Sequence, residues 1–521
     1  MPPSRAIVYL IGAGPGDPGL ISVRGLKCLG DADVVLYDHL INPRLLRFAR
    51  TSAEKIDVGA SSPQPLEQEA ICYLLAEKAR EGKTVARLKW GDPFVFDRGG
   101  QEALFLHEQG VQFEVVPGIP AAVGVPSYAG IPVTYPGAGD CITFIRGYED
   151  EEDALPQVDW SSLARLKGTI VCYAGARQLP GILRALVTHG WAEDEPAAVV
   201  YHGTLPAQQT IQGSLRELEA VARQPPQKGA AILIVGRVTA FREHLRWFDE
   251  RPLFGKRVLV TRTREQAGDI IERLEALGAE AVEAPTIRVM PPEDYGPLDE
   301  AIARVSSFNW VVFTSANGVD AFMKRLQASP GDVRELKGVK LCAIGPATAD
   351  RLLQHGLKVD LVPLEYRAEG ILQALQSSGP LEGQRFLLAR ADIAREVLAE
   401  ELRKSGADVK EVTAYRTTLA EVDREGDPDV YAMLLEKRID VVTFTSASTV
   451  RNFVRSYGSD AAQDLLRSTL VACIGPVTAE AAEQCGIHTA IMPEQYTIPA
   501  LVDAIVAYFS RQLETSRQEH S

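Results

Sequence analysis

RLKWGDPFVFDRGGQE, residues 87–102, runs from a strand-like opening at 85–88 into Gly91-Asp92-Pro93. It passes Phe94 and Phe96 and ends on Arg98-Gly99-Gly100. Gly91 lets backbone approach a ligand with no Cβ in the way. Pro93 fixes its own φ and holds Asp92 extended. Asp92 is then an acceptor at the carboxyl end of a strand, where open α/β sheets bind ligands. A lone Gly-Asp-Pro fits a plain strand-to-helix turn as well, so the neighbouring stretches have to decide.

Upstream, residues 7–11 form an apolar strand. Gly12-Ala-Gly-Pro-Gly-Asp-Pro-Gly19 follows, then a helix from about Ser22 and a strand at 34–37 ending on Asp38. Strand, glycines, helix and a later acid outline a dinucleotide fingerprint. However, Asp17 stands where the third glycine belongs, and Pro15 and Pro18 stiffen the loop. A ligand-approach loop of another α/β design fits better. Downstream, helical spacing over 67–81 and 101–109 alternates with strands at 113–116, 142–145, 170–173, 198–201 and 231–235. Gly175, Gly203 and Gly236 each follow a strand end.

The 521 residues allow three or four domains. A hydrophobic share of 46% and a charged share of 24% are ordinary for a soluble protein. The net charge of −14 argues against a general binder of nucleic acid or anionic membrane, while leaving room for a local basic cleft. No apolar run approaches the ~20 residues of a membrane span. The opening MPPSRAIVYLIGAGPG lacks the pattern of a signal peptide. Seven scattered cysteines without a CxxC read as buried thiols of a reducing cytoplasm. The eight histidines form no ligand cluster, so no protein-bound metal is expected.

Five stretches share an order: IVYLIGAGPGDPGLIS, ADVVLYDHL, RLKWGDPFVFDRGGQE, VVPGIPAAVGVPSYAGIPVT and AAILIVGRV. In them, residues 5–248 resemble uroporphyrinogen-III C-methyltransferase, a tetrapyrrole methylase. The resemblance implies two α/β lobes with S-adenosylmethionine folded between them. It implies methylation of two pyrrole carbons of uroporphyrinogen III to give precorrin-2, and usually a homodimer through this half. Carried over by motif, Pro15, Gly91, Asp92, Val95, Ala121, Gly203 and Ala231 line the cofactor site. Asp38 matches an acid near the reacting centre, placed to accept a proton from the methylated ring; as a residue it also suits a strand-end cap. A sulfonium is already a strong electrophile, so the protein supplies mainly alignment and a dry cleft.

The chain departs from that family in places. Trp90 stands for the first glycine of a Gly-Gly-Asp, Ala60 for a lysine, Pro120 for a threonine and Ala174 for a methionine. Thr134-Tyr135-Pro136 stands for a Thr-His-Arg. Trp90 with Ala174 reads either as compensated repacking, one large side chain gained and one lost, or as decay. A working methyltransferase and a methylase-like domain that binds without transferring both stay open.

Pro252 and Gly255 mark a linker at 249–256. Beyond it the sequence repeats itself. VLVTR at 258–262 returns as FLLAR at 386–390, and VVFTSANGV at 311–319 as VTFTSASTV at 442–450. AIGPATA from 343 returns as CIGPVTA from 473, and PLEY at 363–366 as PEQY at 493–496. An offset of roughly 130 residues is too long for a solenoid and reads as a duplicated α/β domain with a cleft between the copies. Each Phe-Thr-Ser-Ala ends a strand and starts a helix, so Ser315 and Ser446 are natural N-caps. The same helix starts offer N–H groups to an anion, although plain capping explains each one alone.

With GAEAVEAPTIRV at 278–289, AYRT at 414–417 and the duplication, residues 255–510 resemble uroporphyrinogen-III synthase. The resemblance implies two lobes of discontinuous chain, 257–288 plus 419–510 and 291–416, joined by two linker strands. It implies cyclisation of hydroxymethylbilane with inversion of the last ring, loss of water and no cofactor. Tyr415 matches the family tyrosine proposed to help the hydroxyl leave, and suits a hinge-strand aromatic equally. Thr314, Ser315, Thr445 and Ser446 then hold substrate carboxylates. Residues 511–521 are expected to be a disordered tail.

The expectation is thus an α/β chain with a two-lobed tetrapyrrole methylase fold over 1–248. A duplicated two-lobed α/β synthase fold follows over 257–510. The chain is read as a bifunctional cytoplasmic enzyme acting on small-molecule tetrapyrroles toward sirohaem or cobalamin, without nucleic acid, membrane or metal. The runner-up is an active synthase joined to a catalytically impaired methylase-like binding domain. A two-lobed ligand-binding protein is a third reading.

Overall fold

The computed structural model describes residues 6–38, 40–59, 65–147, 155–166, 168–175, 177–222, 230–262, 264–284, 287–364, 368–391, 397–419 and 429–519. Ala60 and Tyr366 lie outside the described residues.

The first half holds two sheets. One is parallel, in the order Glu54–Asp57, Val34–Tyr37, Thr84–Lys89, Ile7–Gly12, Phe113–Val116. Helices cover parallel strands on both faces, so such strands read as near-continuous apolar runs. The Thr84–Lys89 strand is buried along its whole length although it carries Arg87 and Lys89. The second sheet is mixed, in the order Ile142–Gly147, Thr169–Gly175, Ala230–Val235, Pro196–Tyr201, Gln209–Ser214. Its first pair is parallel and the other pairs are antiparallel. The Ala121–Tyr128 helix packs between the sheets, its Ala121, Ala122 and Val125 buried with Tyr173, Val200 and Ile232.

The second half interleaves its duplication. One parallel sheet takes Glu280–Glu283, Arg257–Val260, Val441–Phe444 and Leu470–Cys473 in that order. The other repeats this order with Asp408–Leu419, Arg385–Ala391, Trp310–Phe313 and Lys340–Ala343. Each lobe therefore combines the front of one sequence copy with the back of the other. The chain crosses between lobes where Ile287–Met290 pairs antiparallel with the end of the long Asp408–Leu419 strand, Met290 opposite Arg416.

Residues 249–256 are packed rather than loose. Phe248 is buried between Tyr128 and Phe254, with ring centroids 4.8 and 5.3 Å away. Leu253 is fully buried in the second half's core beside Ile270 and Leu274. The Trp247 indole donates to the Ser127 carbonyl at 2.9 Å, and Arg251 lies over the Trp247 and Phe248 rings. Apolar contacts on both sides thus clamp the junction.

The last helix, Ile498–Glu519, buries Leu501, Val502, Ile505 and Phe509 in the same core. Its backbone stays helical through 511–519, which corrects the expected disordered tail. Physically, no glycine or proline follows Pro499, and the last residues are fair helix formers that extend a docked helix at little cost.

Candidate functional site

In the first half the turn that opened the sequence reading closes on the glycine loop after the first strand. Gly14 and Gly91 exchange backbone hydrogen bonds, Gly91 N–H to Gly14 O at 2.9 Å and Gly14 N–H to Gly91 O at 3.2 Å. Gly118 completes the contact: a Cβ there would lie 2.2 Å from the Gly91 carbonyl oxygen and 2.7 Å from the Gly12 backbone. No side chain could give way, so the backbones at Gly12 and Gly118 approach this closely only because both residues are glycine. Gly91 has φ +69°, and its open side faces the Ala121 N–H. Asp92 braces this turn, accepting from Phe94 N–H at 2.8 Å and Gly118 N–H at 3.0 Å. Val95 packs behind it with Trp90, Phe96 and Ala121.

A cavity of about 1190 Å³ adjoins this turn, lined by Pro15, Tyr37, Trp90, Val125, Gly203, Thr204, Ala231 and Ile232 among others. Pro15, Gly203 and Ala231 are therefore brought together, while Gly91, Asp92, Val95 and Ala121 stand behind the lining. Gly203 is needed sterically, since a Cβ would meet Val125 at 2.4 Å. Its neighbours His202 and Thr204 have φ of +49° and +67°, left-handed values that cost a non-glycine residue energy. Thr204 is held there by Gln208 Oε1, which accepts its N–H at 2.9 Å, and its own hydroxyl accepts from Asp17 N–H at 3.0 Å. His202 and Thr204 carry no motif that sequence reading could have used.

Trp90 donates its indole N–H to the Pro15 carbonyl at 2.9 Å and meets Tyr173 edge-on. Ala174 faces the other way, into the cluster of Cys172 and Leu183, because neighbouring side chains of a strand point to opposite faces. The expected exchange of bulk between Trp90 and Ala174 is thus corrected: the partner of Trp90 is Tyr173.

Asp38 does not line the cavity; it follows the lining residue Tyr37. Its carboxylate accepts from Arg87 Nη2 at 2.8 Å. Arg87 also pairs with Glu102 at 3.3 Å, and Lys89 bridges Glu102 at 3.1 Å and Asp97 at 3.0 Å. Arg87, Lys89 and Glu102 are at most 2% exposed. Burial by itself raises the Glu102 carboxyl; the Arg87 and Lys89 charges outweigh it and hold Glu102 below its ordinary value. Burial prevails at Asp97 and raises it, against the opposing pull of Lys89. Removing Arg87 would strand the buried Glu102 carboxylate at a cost of about 3–5 kcal/mol, whereas Arg87 keeps Glu102 as a partner without Asp38. The network makes Arg87 the positioning residue for Asp38, a role the Arg-Leu-Lys run does not announce.

In the second half a cavity of about 560 Å³ lies between the lobes, with Thr314, Ile344 and Arg390 on one side and Arg451, Val477 and Gln484 on the other. Ser315 caps the Ala316–Ala328 helix, accepting from Gly318 N–H at 3.0 Å, and its hydroxyl is 3.0 Å from the Tyr415 hydroxyl. Tyr415 is 8% exposed and packs in that lobe's core. Ser446 caps its helix through a reciprocal box with Thr449 and bonds the Ser448 hydroxyl at 2.8 Å. Thr445 is half-buried, and the cavity lining includes neither it nor Tyr415. Arg390 and Arg451 are cations that the motif reading did not single out. Among the described residues no group of three or more His, Cys, Asp or Glu could hold a metal ion, and no helix is long and apolar enough to cross a membrane.

Comparison with known proteins finds a different family in each half. The family model for Tetrapyrrole (Corrin/Porphyrin) Methylases matches residues 7–219, and that for Uroporphyrinogen-III synthase HemD matches residues 268–503. The porphyrin biosynthesis protein HemD of Ruminiclostridium josui is 37% identical over 96% of this chain and 98% of its own length. The uroporphyrinogen-III C-methyltransferase of Bacillus subtilis is 36% identical over 69% of this chain and 73% of its own. A solved uroporphyrin-III C-methyl transferase from Thermus thermophilus, complexed with S-adenyl homocysteine, is 35% identical over 45% of this chain and 98% of its own, with a TM-score of 0.39. Two family models in this order, and a relative similar along almost its whole length, show that the chain belongs to the porphyrin-biosynthesis family in which a tetrapyrrole methylase domain is fused to a uroporphyrinogen-III synthase domain.

Proposed function

We propose that the second half cyclises hydroxymethylbilane to uroporphyrinogen III with loss of water, and that the first half methylates this product to precorrin-2. The observation that carries the methylating part is the meeting of Pro15, Gly203 and Ala231 on one cavity wall, with Asp38 one residue behind the lining. The residues present fit S-adenosylmethionine. Gly203 lets its backbone pack against Val125 on the cavity wall, where a Cβ would clash, and Val125, Ala231 and Ile232 make the wall apolar. That group supplies a methyl on a sulfonium. Pro15, Gly203 and Ala231 hold it, the braced turn at Asp92 steadies the glycine loop that carries Pro15, and the apolar wall excludes water. Methyl transfer to the ring carbon leaves a cation, which is neutralised by loss of a proton from a pyrrole N–H or a neighbouring bridging carbon, and Asp38, aimed by Arg87, receives that proton. Self-association through the first half belongs to the same reading.

In the second half, Tyr415 donates its phenolic proton toward the departing hydroxyl, with Ser315 as the hydrogen-bond partner that orients it. A phenol is a weak acid, so most of the ionisation is driven by the electron-rich pyrroles of the substrate. Thr314 and Arg390 face Arg451 across the gap and suit a carboxylate-bearing chain.

One observation favours a first half that binds without transferring: the Trp90 indole stands on the cavity wall, bonded to the Pro15 carbonyl. Mass analysis of products from the purified chain given hydroxymethylbilane and S-adenosylmethionine separates the readings. A dimethylated macrocycle is expected. Recovery of unmethylated uroporphyrinogen III alone sinks methyl transfer and keeps the synthase; the uninverted ring isomer alone sinks the synthase.

A further inference from the structure

The larger cavity is walled by both halves. Facing the glycine loop and Gly203 are Arg257, the run from Gly278 to Glu283, and Arg438. Its volume exceeds the roughly 300–1,000 Å³ of a pocket for one drug-sized ligand, leaving room for a macrocycle beside a cofactor. The packed linker fixes this second wall in place.

Part of the first-half wall is the short helix Pro43–Phe48, just beyond Asp38. Asn42 ties it down on two sides. Its side-chain oxygen accepts from Arg44 N–H at 3.1 Å, and its amide donates to the Gly16 carbonyl at 3.0 Å. The helix brings Arg44 and Arg47 to the cavity, and each meets a carboxylate of the second half: Arg44 pairs with Glu275, Arg47 with Glu283. Burial, and then the like charge of Arg47, lower the Arg44 guanidinium. Two close guanidiniums in a partly dry wall call for anions, and a guanidinium takes carboxylates in a matched fork.

The methylation substrate proposed above carries the same chemical group on every arm. We infer that Arg44 and Arg47 bind carboxylate arms of the macrocycle, and that Glu275 and Glu283 of the second half compete with the substrate for them. The inference rests on the reading of the first half as acting on a polycarboxylate tetrapyrrole. Its signature is a pair of effects of opposite sign. Loss of an arginine weakens substrate binding, while neutralising its glutamate partner strengthens it; a purely structural junction would be weakened by either change. Arg44 and Arg47 keep 31% and 43% of their side chains exposed, so a ligand carboxylate can reach either guanidinium, although Glu283 itself is only 8% exposed.

The test uses the full chain, with uroporphyrinogen III supplied directly and methyl transfer followed with labelled S-adenosylmethionine. Arg47→Gln is expected to raise the KM for uroporphyrinogen III roughly three- to tenfold, and Glu283→Gln to lower it by roughly twofold or more. The double variant should match Arg47→Gln alone, since the glutamate no longer has an arginine to occupy. Cyclisation of hydroxymethylbilane, unchanged in all three, reports that the chain is folded. A KM that rises in Glu283→Gln, or stays constant in Arg47→Gln, overturns the inference. If the unmutated chain transfers no methyl group, the first-half reading fails by itself. Fluorescence titration with uroporphyrin III then decides: tighter binding in Glu283→Gln and weaker binding in Arg47→Gln uphold the competition, and equal or uniformly weaker binding overturns it.

Discussion

In the first half backbone shapes the cleft, whereas in the second half side chains at helix starts do. Gly12 and Gly118 meet each other and the Gly91 carbonyl with no room for a methyl group. Across the linker, Thr314, Arg390 and Arg451 reach into a gap between two lobes of similar plan. A contact between backbones tolerates no substitution, because neither partner can rotate away. A wall of side chains can be retuned residue by residue, as the two Phe-Thr-Ser-Ala copies show: Ser315 reaches Tyr415, while its counterpart Ser446 turns to Ser448 and Thr449.

The sharpest way to break this contrast is Gly118→Ala. A Cβ 2.2 Å from a carbonyl oxygen forces the loops apart, and methyl transfer should fall more than about 100-fold while hydroxymethylbilane cyclisation stays within about twofold. Survival of methyl transfer would show that the backbone contact is not what shapes the cleft.

Next in size is the buried network. Arg87→Leu leaves Glu102 short of a counter-charge and should cost about 3–5 kcal/mol in urea denaturation of the first half. Asp38→Asn should leave that stability nearly intact and lower the kcat of methylation roughly 100-fold. Equal kcat in the two proteins would remove Asp38 from the chemistry.

A smaller effect is expected in the second cleft. Tyr415→Phe should slow cyclisation roughly tenfold, at the low end for a general acid, with no change in methylation of supplied uroporphyrinogen III. The smallest effect separates the two duplicated caps. Ser315→Ala and Ser446→Ala should each cost about 1 kcal/mol of stability, measured by thermal unfolding. Only Ser315→Ala should also slow cyclisation, because only Ser315 touches Tyr415. Equal rates would mean that the duplicated caps are functionally alike.

Much of this architecture could be read in advance. Parallel strands buried on both faces, such as Val34–Tyr37, stand out as apolar runs. Asp17, which spoiled the dinucleotide fingerprint, caps a turn instead, accepting Gly19 N–H at 2.7 Å. Ser315 and Ser446 cap helices because a hydroxyl before a helix has few better uses. The burial of Arg87 and Lys89 was not legible. Two cations in one strand ordinarily suggest an exposed face, and Glu102 neutralises them only once the following helix folds back. The orientation of Trp90 was missed as well, since strand alternation, and not composition, sets Tyr173 rather than Ala174 against it.

By itself the sequence determined where many of the strands and helices fall, that a glycine opens the turn at Gly91 and that the second half is duplicated, because these depend on local stereochemistry and on periodicity. Only the tertiary structure decided that each lobe mixes both copies, that Asp38 is aimed by a buried arginine, and that Arg44 and Arg47 meet carboxylates more than 200 residues away in the chain. These are contacts between distant segments, and their energies depend on burial and charge pairing that no local stretch encodes.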